Sequence, residues 1–154
     1  ERVPVDLIVL LNAMIPMPGE TGNDWRGNTG SGAAHREYLV AIGLTEKDAS
    51  DDKLVYFHDV PDALVEEAYA QGEPAQSMTP MGQPFPLDAW PDVPTRVLVG
   101  RDDRLFPAAF QRRIARDRLG IDADEIPGGH MVALSNPLGL VEQLERYRRE
   151  LGIP

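Results

Sequence analysis

The chain has 154 residues, of which 42% are hydrophobic and 26% are charged, which is enough for one globular domain with a core. Its 25 acidic and 15 basic residues give a formal net charge of -10, which disfavours nucleic acids and anionic membrane surfaces as partners. Without cysteine, the chain forms neither disulfides nor thiolate metal sites. The absence of a long apolar segment excludes a membrane span, so we expect a cytoplasmic protein without cofactors or metals.

A core strand is predicted near the start of the chain. Residues 3–11 form a nearly continuous apolar run rich in β-branched side chains, which is typical of a parallel strand with a neighbour on each side. Prolines and a glycine in residues 12–19 end this strand. Asn12 therefore lies at a strand end, and it is one candidate residue of a substrate pocket. We treat residues 1–18 as a core strand and its loop.

Residues 19–90 are predicted to be a cap or lid inserted between core strands. Within this insert, residues 21–50 have few periodic apolar positions, and the glycine-rich residues 27–32 indicate a flexible loop. No strand precedes these glycines and no Lys-Ser/Thr pair follows them, so they are not a phosphate-binding loop. Residues 54–60 indicate a short strand, and residues 61–72 a helix.

The C-terminal part, residues 91–154, is predicted to return to the core. It contains an apolar strand at 95–100, a helix between Pro107 and Gly120, a short strand at 124–126 and a helix that begins at Pro137. The arginines of the first of these helices are typical of a solvated helix face. The predicted fold class is α/β, with parallel strands flanked by helices and an inserted cap.

Two polar side chains follow the last two predicted strands. Asp103 comes after the strand at 95–100, and His130 follows two glycines after the strand at 124–126. If these strands are parallel neighbours, both side chains emerge at the same sheet edge, where a carboxylate can orient an imidazole. Taken singly, Asp103 is equally typical of a helix-capping turn and His130 of a tight turn. The rivals for the two roles are Asp102, His35 and His58.

The pattern Gly100-x-x-Asp103-x-x-x-Pro107, followed by Gly-Gly-His and a C-terminal amphipathic helix, resembles the second half of an α/β-hydrolase. The resemblance covers nearly the whole chain and is closest to the branch of small esterases and plant hydroxynitrile lyases. It implies a Ser-Asp-His triad in which Asp103 is the acid and His130 the base, acting on small apolar esters. It also implies that the cap covers the substrate pocket, for which the candidates besides Asn12 are Met131, Trp25, Phe85 and Trp90. The three aromatic side chains are equally typical of packing between cap and core.

The nucleophile of such a triad is absent from the sequence. No Gly-x-Ser-x-Gly pattern occurs in the chain, and without its nucleophile a triad enzyme loses several orders of magnitude in rate. We therefore expect the serine and the N-terminal half of the fold to lie upstream of Glu1, in the same or a separate chain, and this chain alone to be inactive.

Three other interpretations stay open at this point. Hydroxynitrile lyases of the resembled branch carry a lysine directly after the histidine, and Met131 stands there in this chain, which favours hydrolysis over lyase chemistry. A non-catalytic relative that binds a small ligand is the second alternative, and a self-contained α/β domain is the third. The sequence leaves the oligomeric state open, and a homodimer is one of the states considered.

Overall fold

The computed structural model describes residues 4–72 and 77–154. Its centre is a three-stranded parallel sheet in the order β1-β2-β3. The strands are β1 (Ile8–Leu11), β2 (Thr95–Gly100) and β3 (Asp124–Ile126). The predictions of β2 and β3 are confirmed, whereas β1 begins later than predicted, at Ile8: residues 4–6 are exposed, and residues 4–7 lie outside the sheet.

The middle strand β2 supplies the core on both faces of the sheet. Val97, Leu98 and Val99 are at most 3% exposed, and successive side chains of a strand point to opposite faces. Val97 and Val99 pack in one cluster with Phe110, and Leu98 packs in a second cluster with Val132. Apolar side chains on both faces thus explain the continuous apolar run in the sequence.

The helices that follow the sheet strands confirm the predicted α/β architecture. They are α6 (Ala108–Leu119), α7 (Val132–Ser135) and α8 (Pro137–Glu150). Gly120 ends α6 in the left-handed conformation, with φ 68°. The side chain of Asn136 caps α8 by accepting a hydrogen bond from the Gly139 N–H. The hydroxyl of the buried Tyr147 donates to Asp124 Oδ2 over 2.6 Å, which joins α8 to β3.

The described part of the insert, residues 19–90, contains six helical elements, and residues 83–90 have no helix. Its elements are α1 (Gly22–Thr29), α2 (Ser31–Ala41), a 3₁₀ helix (Glu46–Ser50), α3 (Asp52–Tyr56), α4 (Asp62–Ala70) and α5 (Thr79–Gly82). The helix predicted at 61–72 is confirmed by α4. No helix of the described residues has the length and hydrophobicity needed to cross a membrane.

Two predictions within the insert are wrong. The glycine-rich residues 27–32 are not a flexible loop: they end α1 and begin α2, and Gly30 joins the two helices in the left-handed conformation. Residues 54–60 are not a strand, because the side chain of Asp51 accepts a hydrogen bond from the Leu54 N–H and caps the short helix α3. The left-handed Gly30 joins two helices at the first place, and the Asp51 cap starts a helix at the second, so neither the glycine content nor the apolar pattern determines the structure there.

Glu20 and Arg118 form a buried ion pair between the insert and α6. Their side chains are 5% and 10% exposed, and the guanidinium donates to both carboxylate oxygens over 2.5 and 3.0 Å. Asn28 and the Met17 N–H also donate to this carboxylate. Chiefly because of the Arg118 hydrogen bonds, and despite the opposing effect of burial, the pKa of Glu20 falls from 4.5 to about 2.

We predict that this pair makes stability depend on pH. Because the pKa of Glu20 is lowered on folding, its contribution is complete above pH 4.5 and is lost as the pH falls towards 2. Glu20→Gln should lower the free energy of unfolding at neutral pH by about 1–3 kcal/mol and flatten the acid dependence. Urea unfolding at several pH values measures both effects, with the exposed Glu66→Gln as control. An unchanged acid dependence in Glu20→Gln would contradict the assignment.

Glycine is required at position 100 because the backbone of residues 128–129 passes close to the end of β2. A Cβ at this position would lie 2.5 Å from the Gly129 carbonyl oxygen and 2.8 Å from that of Gly128. We predict that Gly100→Ala lowers the free energy of unfolding by about 1–3 kcal/mol, because the two strand-end loops must separate. Gly27→Ala, whose Cβ meets no atom within 4 Å in α1, should raise it by about 0.5–1 kcal/mol. Urea unfolding of both variants tests the contrast.

Candidate active site

Asp103 and His130 meet at the carboxyl ends of β2 and β3. Nδ1 of His130 lies 2.9 Å from Oδ2 of Asp103, and the two side chains are 17% and 0% exposed. Because an ionised carboxylate only accepts hydrogen bonds, Nδ1 carries the proton and Nε2 of the neutral ring keeps its lone pair. Within residues 4–72 and 77–154, Nε2 forms no hydrogen bond. This arrangement leaves the lone pair of Nε2 able to accept a proton.

The buried carboxylate of Asp103 has four hydrogen-bond donors. Besides His130, the backbone N–H groups of Leu105 and Phe106 donate to Oδ1 over 2.8 and 3.0 Å. Nε2 of Gln111, on α6, donates to Oδ2 over 3.1 Å. These donors offset the cost of burying the charge and fix the oxygen that faces the imidazole.

Two aromatic side chains hold the imidazole ring of His130. The rings of Tyr56 and Phe106 approach it edge to face, with centroid distances of 5.4 and 5.6 Å. Tyr56 belongs to α3 and Phe106 to the turn after Asp103, so the insert and the core both contact the ring. Burial raises the pKa of Tyr56, and the charge of Asp52 adds to this effect. The Tyr56 phenol therefore stays neutral at neutral pH.

Asn12 lies beneath the histidine loop and is 6% exposed. Its Nδ2 donates to the carbonyl oxygens of Gly129 and His130 over 3.1 and 2.9 Å. Its Oδ1 accepts from the Gly100 N–H over 2.7 Å. The backbone of Asn12 has a φ of 45°, a conformation that strains most residues other than glycine and that asparagine tolerates better than alanine. The structure thus places this pocket candidate at the junction of all three strand ends.

The other pocket candidates occupy different places. Trp25 is 1% exposed, and its Nε1 donates to the Ile15 carbonyl, so this side chain packs in the core. Phe85 and Trp90 stack at 5.1 Å, and Trp90 also bonds the loop after β1. Phe85 lines a largely apolar cavity of about 590 Å³ with Met14 and Met81. Met131 is partly buried next to the candidate base.

The rival acid and the rival histidines lie outside this hydrogen-bonded pair. The Asp102 side chain is 57% exposed and lies 3.9 Å from Arg101. Nδ1 of His35 and Nε2 of His58 lie 2.7 and 3.0 Å from backbone carbonyl oxygens rather than from carboxylates. No serine of the described ranges is hydrogen-bonded to His130, and these ranges contain no cluster of three or more metal-ligating side chains.

Several residues of the site escaped the sequence analysis. Gln111, Phe106 and Tyr56 contact Asp103 or His130, and none of them occupies a specified position of the recognised motif. Gln111 left one signal: it shares the inner face of α6 with Ile114 and Ala115, at helical spacing, and all three are buried. A polar side chain on an apolar helix face indicates a buried hydrogen-bonding partner.

A parallel α/β sheet with a carboxylate-histidine pair at its carboxyl edge defines a class of enzyme scaffold. The profile of the Alpha/beta hydrolase family matches residues 2–143. The chain belongs to the alpha/beta hydrolase family. No curated protein matches the sequence.

Solved structures of hydrolases resemble the fold. A mutant of polyneuridine aldehyde esterase has a TM-score of 0.64 at 17% identity, covering 92% of this chain and 62% of that one. A pyrethroid hydrolase from Sphingobium faniae JZ-2 has a TM-score of 0.62 at 22% sequence identity, and the match covers 94% of this chain and 61% of the hydrolase. An extracellular alpha/beta-hydrolase from a Paenibacillus species, described as homologous in structure and function to tobacco Salicylic Acid Binding Protein 2, has 0.62 at 19%, covering 92% and 61%. The chain thus spans about three fifths of these proteins.

We predict that Asn12 contributes through both its hydrogen bonds and its backbone conformation. Asn12→Ala should lower the free energy of unfolding by about 2–4 kcal/mol, because the buried Gly100 N–H loses its acceptor and alanine is strained at this φ. Asn12→Gly loses the same hydrogen bonds without that strain and should be about 1 kcal/mol more stable than Asn12→Ala. Urea unfolding measures the difference, with the exposed Asn23→Ala as control. Equal stability of the two variants would show that the backbone conformation is without cost.

Proposed function

We propose that this chain supplies the acid and the base of a Ser-Asp-His triad that hydrolyses carboxylic esters. The observation that carries the proposal is the 2.9 Å hydrogen bond between His130 Nδ1 and the buried Asp103 carboxylate. Membership of the alpha/beta hydrolase family supports the reaction class, because triad partners follow the order nucleophile, acid, histidine in this fold.

In the proposed reaction, Nε2 of His130 accepts the proton of the serine hydroxyl as its oxygen attacks the ester carbonyl carbon. The carboxylate of Asp103 stabilises the imidazolium that forms. The imidazolium then returns the proton to the departing alkoxide, which leaves as the alcohol, and an acyl-enzyme remains. Water, deprotonated by the same nitrogen, attacks the acyl-enzyme and releases the acid and the serine.

The serine belongs, in this proposal, to a polypeptide segment that completes the sheet next to β1. Within the described residues, β1 pairs with β2 on one side only, although all four of its residues are partly buried. The chain also spans only about three fifths of the solved hydrolases that it resembles. Both observations are consistent with a nucleophile half supplied by the same or a separate chain.

The proposed substrate is a small apolar ester held beneath the insert, which acts as the cap. The cavity of about 590 Å³ next to Phe85 has mainly apolar walls, but the residues that line it include neither Asp103 nor His130 nor their contacts, so it does not carry this part of the proposal. An esterase and a pyrethroid hydrolase are among the structures with this fold.

Met131 after the base offers no positive charge for a cyanide leaving group, which favours hydrolysis over lyase chemistry. The cytoplasmic location and the homodimer stay predictions.

A non-catalytic ligand-binding protein is the second candidate function. The observation that favours it is that no described serine is bonded to His130. One solved relative is also compared with a salicylic acid binding protein.

The test is the activity of a polypeptide that joins this chain to the proposed nucleophile half. It should hydrolyse a p-nitrophenyl ester and react covalently with a fluorophosphonate probe. Asp103→Asn and His130→Ala should each lower kcat/KM by about 10⁴-fold. Asp102→Asn should retain activity within a few-fold, because its side chain is exposed. Ligand binding without probe labelling would favour the non-catalytic alternative, and loss of activity in Asp102→Asn alone would reassign the acid.

A further inference from the structure

His58 and Asp59 are adjacent residues of the insert, and each is hydrogen-bonded to one of the two loops that carry Asp103 and His130. Nε2 of His58 lies 3.0 Å from the carbonyl oxygen of Asp102. Because a carbonyl only accepts hydrogen bonds, this nitrogen carries the proton. Oδ2 of Asp59 accepts a hydrogen bond from the N–H of Gly129 over 2.6 Å. Each contact therefore falls one residue before a member of the acid-base pair.

The close approach of this dipeptide explains why glycine stands at position 129. A Cβ on Gly129 would lie 2.6 Å from Nε2 of His58 and 2.7 Å from Oδ1 of Asp59. Gly129 has no positive φ, unlike Gly128, so its backbone conformation does not require glycine. Glycine is required because a larger side chain would collide with the side chains of His58 and Asp59.

Asp59 also has an unfavourable feature that needs a compensating role. Its Oδ1 is buried and has no hydrogen-bond partner, and an unpaired buried polar atom costs about 1–3 kcal/mol. The short hydrogen bond from the Gly129 N–H to Oδ2 is charge-assisted, which offsets part of this cost.

We propose that His58 and Asp59 are positioning residues through which the insert sets the orientation of His130 relative to Asp103. The proposal rests on the proposed function in assigning these two groups as base and acid. His58 fixes the backbone next to the acid, and Asp59 fixes the backbone next to the base. Displacement of either loop lengthens the 2.9 Å hydrogen bond on which the orientation of the imidazole depends. Seating of the insert on the core and alignment of the base are therefore coupled.

Nitrogen-15 NMR of the three histidines in the unmodified chain and its variants tests the proposal. The measured quantity is the ratio of the Nδ1–H to the Nε2–H tautomer of neutral His130, which reports alignment with Asp103 without requiring a nucleophile. Asp59→Ala should lower this ratio roughly tenfold and His58→Ala roughly threefold, since a charge-assisted and a neutral hydrogen bond are lost. Circular dichroism and the Tm of each variant report separately whether it folds.

Conservative and matched variants complete the design. Asp59→Asn and His58→Gln keep an acceptor and a donor and should keep the ratio of the unmodified chain. Asp62→Ala, an exposed acid of the same insert, removes the same charge as Asp59→Ala and should also leave it unchanged. If Asp59→Ala fails to fold, His58→Ala and its rescue by His58→Gln decide the question.

The outcomes separate this proposal from the proposed function. An unchanged ratio in folded Asp59→Ala and His58→Ala overturns the positioning role and leaves the triad assignment intact. A His130 that is not the Nδ1–H tautomer in the unmodified chain overturns both. A ratio that responds to the two variants, together with no ester hydrolysis by the completed enzyme, supports the positioning role while the proposed function fails.

Discussion

The parallel pairing of β2 with β3 is the constraint on which the candidate site depends. In this register Gly100 lies opposite Ile126, so the loops carrying Asp103 and His130 leave the sheet side by side. The Gly100 backbone is close enough to the Gly129 carbonyl that no side chain fits between them. A slip of one residue would shift one loop against the other and turn every side chain of the shifted strand to the opposite face. The hydrogen bond between acid and base is thus a product of strand register.

Two of the carboxylates that the structure describes, those of Glu20 and Asp103, are buried, and they are stabilised in different ways. Glu20 is paired with the guanidinium of Arg118, a permanent charge, which makes it a structural ion pair. Asp103 is surrounded by two backbone N–H groups, one amide and one imidazole. The charge of Asp103 is therefore available to a partner whose own charge can change. The Glu20–Arg118 pair is therefore suited to joining elements of the fold, and the Asp103–His130 pair is suited to acid-base chemistry.

The sequence predicted the C-terminal half of the structure well because its signals are local. Apolar runs, Pro107 and Pro137 at helix starts and Gly120 at a helix end act within a few residues, and the elements found there agree with them. The acid-base pair followed from the order of those elements. The insert was predicted poorly, because α1 and α3 depend on burial against other parts of the fold, through Trp25 and Val55 respectively.

The contacts that surround the acid and the base could not be predicted from pattern. Asn12 bonds the His130 loop, and Asp59 bonds the same loop from a different element. Such hydrogen bonds join residues that are far apart in the chain, and neither side chain belongs to a periodic pattern or a motif. Only the fold brings them together. Gln111 is the exception, since a polar side chain on a buried helix face is visible in the sequence.

The length of the connection between β1 and β2 has a consequence for folding kinetics. The whole insert lies between these strands, so the pairing of Ile8 with Thr95 closes a very long loop, whereas β2 and β3 are joined by α6 alone. Loop-closure entropy must be overcome before the contacts that repay it can form. We therefore expect the unit of β2, α6 and β3 to assemble before β1 docks. In a nascent or stressed molecule, the acid and the base can thus be neighbours before the sheet is complete.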